Sequence, residues 1–105
     1  STSNVEVFTW IRIGTNLMAW GQFDVDHTSS GTLTTVDLSL PSSGVTIPAF
    51  TAAENIFGHG SGDGMGIRGG FVQAKPVSRL ARYSFRGVGS ASNTHILSFL
   101  VKGVS

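Results

Sequence analysis

Alternation with a period of two runs through most of this chain, and it limits the fold more than any other feature. In VEVFTWIRI, residues 5–13, Val5, Val7, Thr9, Ile11 and Ile13 share one face of an extended segment, and Glu6, Phe8, Trp10 and Arg12 share the other. Both faces carry apolar groups, which predicts a strand partly covered on both sides. LMAWGQFDVD, residues 17–26, puts Leu17, Ala19, Gly21, Phe23 and Val25 inward and Met18, Trp20, Gln22, Asp24 and Asp26 outward. Gly14, Thr15 and Asn16 supply a turn between the two, so they are expected to form a hairpin. A further strand is expected from Thr32 to Leu40, ended by Pro41, with a short one at Val45 to Ile47 before Pro48. GGFVQAK, RLARYSFRG and THILSFLVKGV continue the pattern, and no run of ten residues carries a helical stripe. Seven or eight short strands separated by Gly, Ser, Asn and Pro turns predict an all-β chain. The architecture expected is one antiparallel β-sandwich domain of jelly-roll type over residues 1–105.

FGHGSGDGMGIRGG, residues 57–70, interrupts this regularity with half of the fourteen glycines. Gly64, Gly66 and Gly69 spell the G-x-G-x-x-G of a dinucleotide-binding turn, but that turn works only where it opens a helix whose N-terminus meets the pyrophosphate. Here GFVQAKP follows, β-like and closed by Pro76, so nucleotide binding fails on context. The stretch has another order: Gly58, Gly60, Gly62, Gly64 and Gly66 fall on every second residue. An extended chain would show bare backbone on one face and Phe57, His59, Ser61, Asp63, Met65 and Ile67 on the other. Bare backbone admits close approach by a neighbouring chain or ring, including backbone packing about a threefold axis. A mobile Gly/Ser loop is the alternative.

Charge is scarce. Charged residues are 12% of the chain, about half the usual quarter, while 40% are hydrophobic, so part of the surface is expected to lie under partners. Hydroxyl-rich solvation is the plainer alternative. Residues 1–63 carry all six acids against Arg12, a balance of −5, and residues 64–105 carry six bases and no acid, +6. Acidic and basic strands that neutralise one another, within or between subunits, account for this better than a nucleic-acid face, because the bases are not clustered on one helix. With no cysteine, disulfides and thiolate metal sites are excluded, and no apolar run approaches the roughly 18 residues of a membrane helix. Ser1 opens no basic and apolar signal pattern.

Candidates for chemistry are thin. His27, His59 and His95 are isolated, without the H-x-H or H-x-x-x-H spacing that sets two imidazoles on one metal, and each reads as a surface or turn residue. Ser61 lacks the glycines of a nucleophile elbow, and His59, Ser61 and Asp63 would point side by side on one strand without converging. Asp24 and Asp26 share a face and read as a solvated acidic edge, or as partners for arginines of an adjacent subunit, before they read as a carboxylate pair. No catalytic residue, cofactor or metal ligand is therefore expected. Trp10 and Trp20, on the less apolar faces of the first two strands, with Phe8 beside Trp10, read as packing or interface anchors, with a sugar-stacking platform as the alternative. Arg79, Arg82 and Arg86 read as a basic strand facing a neighbouring subunit or another acidic surface.

FTWIRIGTNLMAWGQFDVDHTSSGTLTTVDLSLP resembles a recurrent segment of tailed-phage virion proteins: an aromatic and RIG strand, a turn, a strand ending G-x-[FV]-x-[VI]-D, a Ser/Thr/Gly turn and a T-x-x-x-L-x-LP strand. GGFVQAKPVSRLARYSFRGVGSASNTHILSFLVKGV is similar to the second half of that module, and Arg12, Gly14, Gly21, Asp26 and Pro41 are the anchors of a match over roughly residues 8–104. The resemblance implies a jelly-roll-like sandwich, usually a homotrimer, found on capsid surfaces as decoration or head-fibre protein and at tail-fibre ends. The expected role is a non-enzymatic trimeric capsid decoration protein on the virion, bound to major capsid protein or another virion protein, without nucleic acid or membrane partners. A tail-fibre tip that recognises a host glycan through exposed aromatics and the loops at 41–56 and 57–66 is the alternative.

Overall fold

The computed structural model describes residues 2–26, 33–41, 43–62, 70–86 and 92–105. Seven strands appear in them: β1 (Thr2–Ile13), β2 (Asn16–Asp26), β3 (Leu33–Ser39), β4 (Ile56–Gly62), β5 (Gly70–Ala74), β6 (Leu80–Arg86) and β7 (Ser92–Lys102). They form one antiparallel sheet in the order β1-β2-β7-β4-β5-β6-β3. The pairs β2 with β7, β3 with β6 and β4 with β5 are nested, as when a long hairpin is wound around a core in a jelly roll. The sheet curls until its ends face each other, so that Phe8 and Trp10 of β1, Leu38 of β3 and Leu40 just beyond it line a common cleft. The all-β, sandwich-like architecture predicted from alternation is the one observed.

Inside the curl lies one apolar cluster, with Leu17, Phe23, Ile56, Tyr83, Phe85, Leu97 and Val101 fully buried. At about 1.5–3 kcal/mol for each large side chain removed from water, these positions hold the sheet in its curl. The β1–β2 hairpin turns on Gly14 and Thr15 alone, with Ile13 facing Asn16 and Gly14 at φ 61, the positive value that a two-residue hairpin loop requires at its first position.

Residues 43–55 cross one end of the sheet. The strand expected at Val45 to Ile47 does not form: Val45 and Ile47 are buried, and Thr46 instead exchanges backbone hydrogen bonds with Ser105, at 2.7 and 3.0 Å. Pro48, which has no N–H to give a ladder, stops the pairing there. Phe50 is buried, held by its N–H to the Ser78 carbonyl and its carbonyl to the Val77 N–H, both at 2.8 Å. A short 3-10 turn at Ala53–Asn55 then leads into β4.

That docking fixes the turn between β5 and β6 in an unusual way. Val77 has φ 63 and is 91% exposed, so a β-branched residue, tied by its N–H to the Phe50 carbonyl, occupies left-handed backbone with its side chain in solvent. Strain of this kind costs about 1–3 kcal/mol, and glycine escapes it at a smaller entropic cost. Val77→Gly is therefore expected to raise stability by about 1 kcal/mol, read as a higher urea midpoint. An unchanged or lower midpoint would show that the backbone is not strained there.

Candidate functional site

Register sorts the side chains into rows that cross the sheet. On the outer surface, Ile11 faces Met18, Met18 faces Leu100, Leu100 faces Phe57, and the row continues through Gln73 and Arg82 to Asp37. The adjacent row runs Thr9, Trp20, Ser98, His59, Phe71, Ser84 and Thr35. Both rows change character between β5 and β6. On β1, β2, β7, β4 and β5 they are apolar or uncharged, and Trp20 (45%), Phe57 (51%), Phe71 and Met18 stay exposed, flanked by Ile13 and by Ile96 (58%). On β6 and β3 they are polar.

The polar half is organised by Asp37, whose carboxylate accepts from Arg82 Nε and Lys75 Nζ, each at 3.0 Å. These hydrogen bonds, Arg82's first, hold the Asp37 carboxyl below the usual carboxylate range. An acid from the first half of the chain thus meets two bases from the second, which is the neutralisation within a subunit that the charge division suggested. Asp37 is only partly shielded from solvent, so the triad contributes little to stability.

The arginines do not form one stripe. Arg79 lies in the turn before β6 and donates to the Ile47 carbonyl at 3.0 Å, Arg82 is engaged by Asp37, and Arg86 is exposed at the end of β6 opposite Leu33. The tryptophans also separate. Trp10 faces Ala19 on the inner side, where with Phe8 it lines the cleft beside Leu38 and Pro41, and Trp20 stands on the outer side. Phe8 is half-buried against Phe23 and Phe99, with centroids 6.3 Å apart in each case. Trp10 and Trp20 therefore cannot form a shared sugar platform.

At Gly58 and Gly60 the bare glycine face turns inward, so at these positions it packs against this chain's own core and not against the backbone of another chain. A Cβ on Gly58 would collide with Phe99 and the Ser98 carbonyl, and one on Gly60 or Gly70 with the Tyr83 ring. Gly60 and Gly70 face each other across β4 and β5, so together they form a floor for that ring. Gly64, Gly66, Met65, Ile67, Asp63 and His27 lie outside the described residues.

His95 is buried, contrary to its reading as a surface residue. It lies between Phe23 (centroids 6.0 Å apart, stacked) and Phe85 (4.3 Å), and its Nδ1 is 2.9 Å from the Tyr83 hydroxyl. Burial pushes the Tyr83 phenol well above its ordinary value near 10. Folded protein then holds a proton that unfolded protein releases, so the stabilisation is complete below about pH 10 and declines as pH rises beyond it. Tyr83 is the only tyrosine of the chain, so tyrosinate absorbance reports on it alone. Titration of native protein is expected to show no tyrosinate until pH exceeds 10, with its appearance coinciding with unfolding. An ordinary titration curve on folded protein would contradict this.

Among the described residues no three His, Asp or Glu side chains come together as a metal site. His59 is exposed on the outer face of β4, and Asp24 accepts from Thr94 Oγ1 at 2.8 Å. What the arrangement offers is an apolar surface. Its signal was present in the sequence, since both faces of residues 5–13 carry apolar groups and Met18, Ile96 and Leu100 occupy outward positions in otherwise amphipathic strands. No protein-family model, curated protein or solved structure matches this chain.

Proposed function

We propose that this chain is a non-enzymatic structural protein of a bacteriophage virion, a homotrimer that decorates the head and cements neighbouring subunits of the major capsid protein. The observation that carries the reading is the apolar half of the outer sheet face. A stable fold has no use for so many uncovered apolar side chains, whereas a chain that works as part of an assembly needs them, with its remaining surface left for the capsid. Its low charge and its residue pattern, which resembles virion modules, agree with that role. The mechanism is mechanical: a stiff β-sheet body bridges adjacent capsid subunits, and burial of its surface adds contact free energy against internal pressure. The polar half around Asp37, Arg82 and Arg86 then faces the capsid or solvent.

Phage heads that lack this chain are expected to open at a lower temperature than complete heads, and to regain stability when the purified protein is added. Heads equally stable with and without it would overturn the reading. A second reading, a tail-fibre tip for a host glycan, draws on Trp20, which stands in a shallow depression lined by Thr9, Gln22 and Ile96. It predicts that Trp20→Ala abolishes attachment to host cells, and wild-type attachment by that variant would remove it.

A further inference from the structure

We infer that the apolar half of the outer sheet face, spread over β1, β2, β7, β4 and β5, is the surface through which copies of this chain join. The inference rests on the assembly reading above for the trimer, and not for the virion. Area is the first argument. Seven large apolar side chains on this face are between two-fifths and three-fifths exposed, with Leu100 half-buried among them. At about 70–100 Å² apiece the seven present on the order of 500–700 Å², at or above the largest patch of a typical monomer and approaching the ~800 Å² per partner of a stable interface.

Chemistry is the second argument. The centre of the face is Ile11, Met18, Leu100 and Phe57, three aliphatic side chains and a phenyl ring, none with a group to hydrogen-bond a sugar hydroxyl. Among the side chains described, the charged ones on this half are Asp24 at one end and Lys102 at the other, with Lys102 Nζ 5.3 Å from the Phe57 ring centroid. An apolar centre with charges of opposite sign towards its two ends is the pattern of an interface core and rim. It is also a pattern that neighbouring copies about a threefold axis can complement, the apolar centres gathered at the axis and the Asp24 end of one copy meeting the Lys102 end of the next, whereas a strongly acidic or basic partner would find no match. Arg82 of β6 and Lys75, just past β5, are held on the other half of the surface by Asp37 of β3.

The arrangement differs from the one that the charge division suggests. Assembly runs through apolar surface and not through acidic strands against basic ones, so it should survive high salt, which screens exposed charges but does not weaken apolar burial.

Light scattering on the wild-type protein tests this directly. A mass of about three times the 11.0 kDa chain is expected in low and in high salt. Met18→Glu and Ile96→Lys, both at exposed positions and so compatible with folding, are expected to weaken association at least about 100-fold and to yield a monomer with an unchanged β circular-dichroism spectrum. Leu33→Glu, an exposed apolar position on β3 outside this half, should leave the mass unchanged. A wild-type monomer, an oligomer that dissociates in high salt, or an oligomer unaffected by either variant would overturn the inference. Failure to protect phage heads would sink the virion role and leave this interface standing.

Discussion

Gly60→Ala is expected to lose about 3 kcal/mol of folding stability, and Gly60→Val is expected not to fold. The reason is steric and sits in the register. Gly60 faces Gly70 on β5 and Leu97 on β7, and the Tyr83 ring occupies the space a side chain would take, with the Leu97 Cδ2 methyl on its other side. Neither neighbour can withdraw. Tyr83 is fully buried, stacked on Phe85 with centroids 5.1 Å apart and bonded to His95, and Leu97 is fully buried as well. Overpacking in such a core costs about 1–3 kcal/mol where the surroundings yield, and this site has little room to do so. Urea unfolding measures the loss, with Ser61→Ala, one residue along and pointing outward, as a control expected within about 0.5 kcal/mol of wild type. A double variant in which Tyr83 becomes Leu should lose less than the two single changes together, because the two positions share one space. A Gly60→Ala protein as stable as wild type would mean that the ring does not rest on β4.

Phe23→Ala is expected to cost about 3–5 kcal/mol. Its ring is 1% exposed and touches three aromatic neighbours: Phe8 at 6.3 Å, Tyr83 edge-on at 5.9 Å and His95 stacked at 6.0 Å. Removing it opens a cavity beside the Tyr83–His95 hydrogen bond, where surrounding rings are already held by their own contacts and cannot collapse into the gap. The same variant carries a second readout. If burial raises the Tyr83 phenol, water admitted to this cavity should bring its ionisation back toward the ordinary value near 10, visible as tyrosinate at lower pH than in wild type. A small stability loss with an unmoved titration would mean that Phe23 is not part of the wall around that pair.

These effects lie in residues whose roles were legible in the sequence to different degrees. On β2 the outcome was readable: Leu17, Ala19 and Phe23 alternate with Met18, Trp20 and Asp24, only one parity is consistently apolar toward the core, and that parity is the buried one. On β1 it was not, because Phe8 and Trp10 compete with Ile11 and Ile13 for the inside. The aromatic parity turns inward, Phe8 onto Phe23 and Phe99 and Trp10 into the cleft, and the isoleucines are left on the outer face. The glycine alternation at 58 and 60 was visible as a bare face, but what filled it was not, since Phe99 against Gly58 and Tyr83 and Leu97 against Gly60 lie more than twenty residues away in the chain. His95 likewise gave no local sign of burial among Phe23, Tyr83 and Phe85.

Period two is a property of the extended backbone itself, and turns at Gly14 and Pro41 need only their own dihedral angles, so the sequence by itself determined an all-β chain of short antiparallel strands and the pairing of side chains by face. Which face of β1 is inside, that Trp10 and Trp20 part company, and that the outer rows are apolar or uncharged on five strands and polar on two were decided by the tertiary structure. Those outcomes depend on which strands lie side by side and in what register, and that is a property of contacts between residues far apart in sequence, which no local pattern contains.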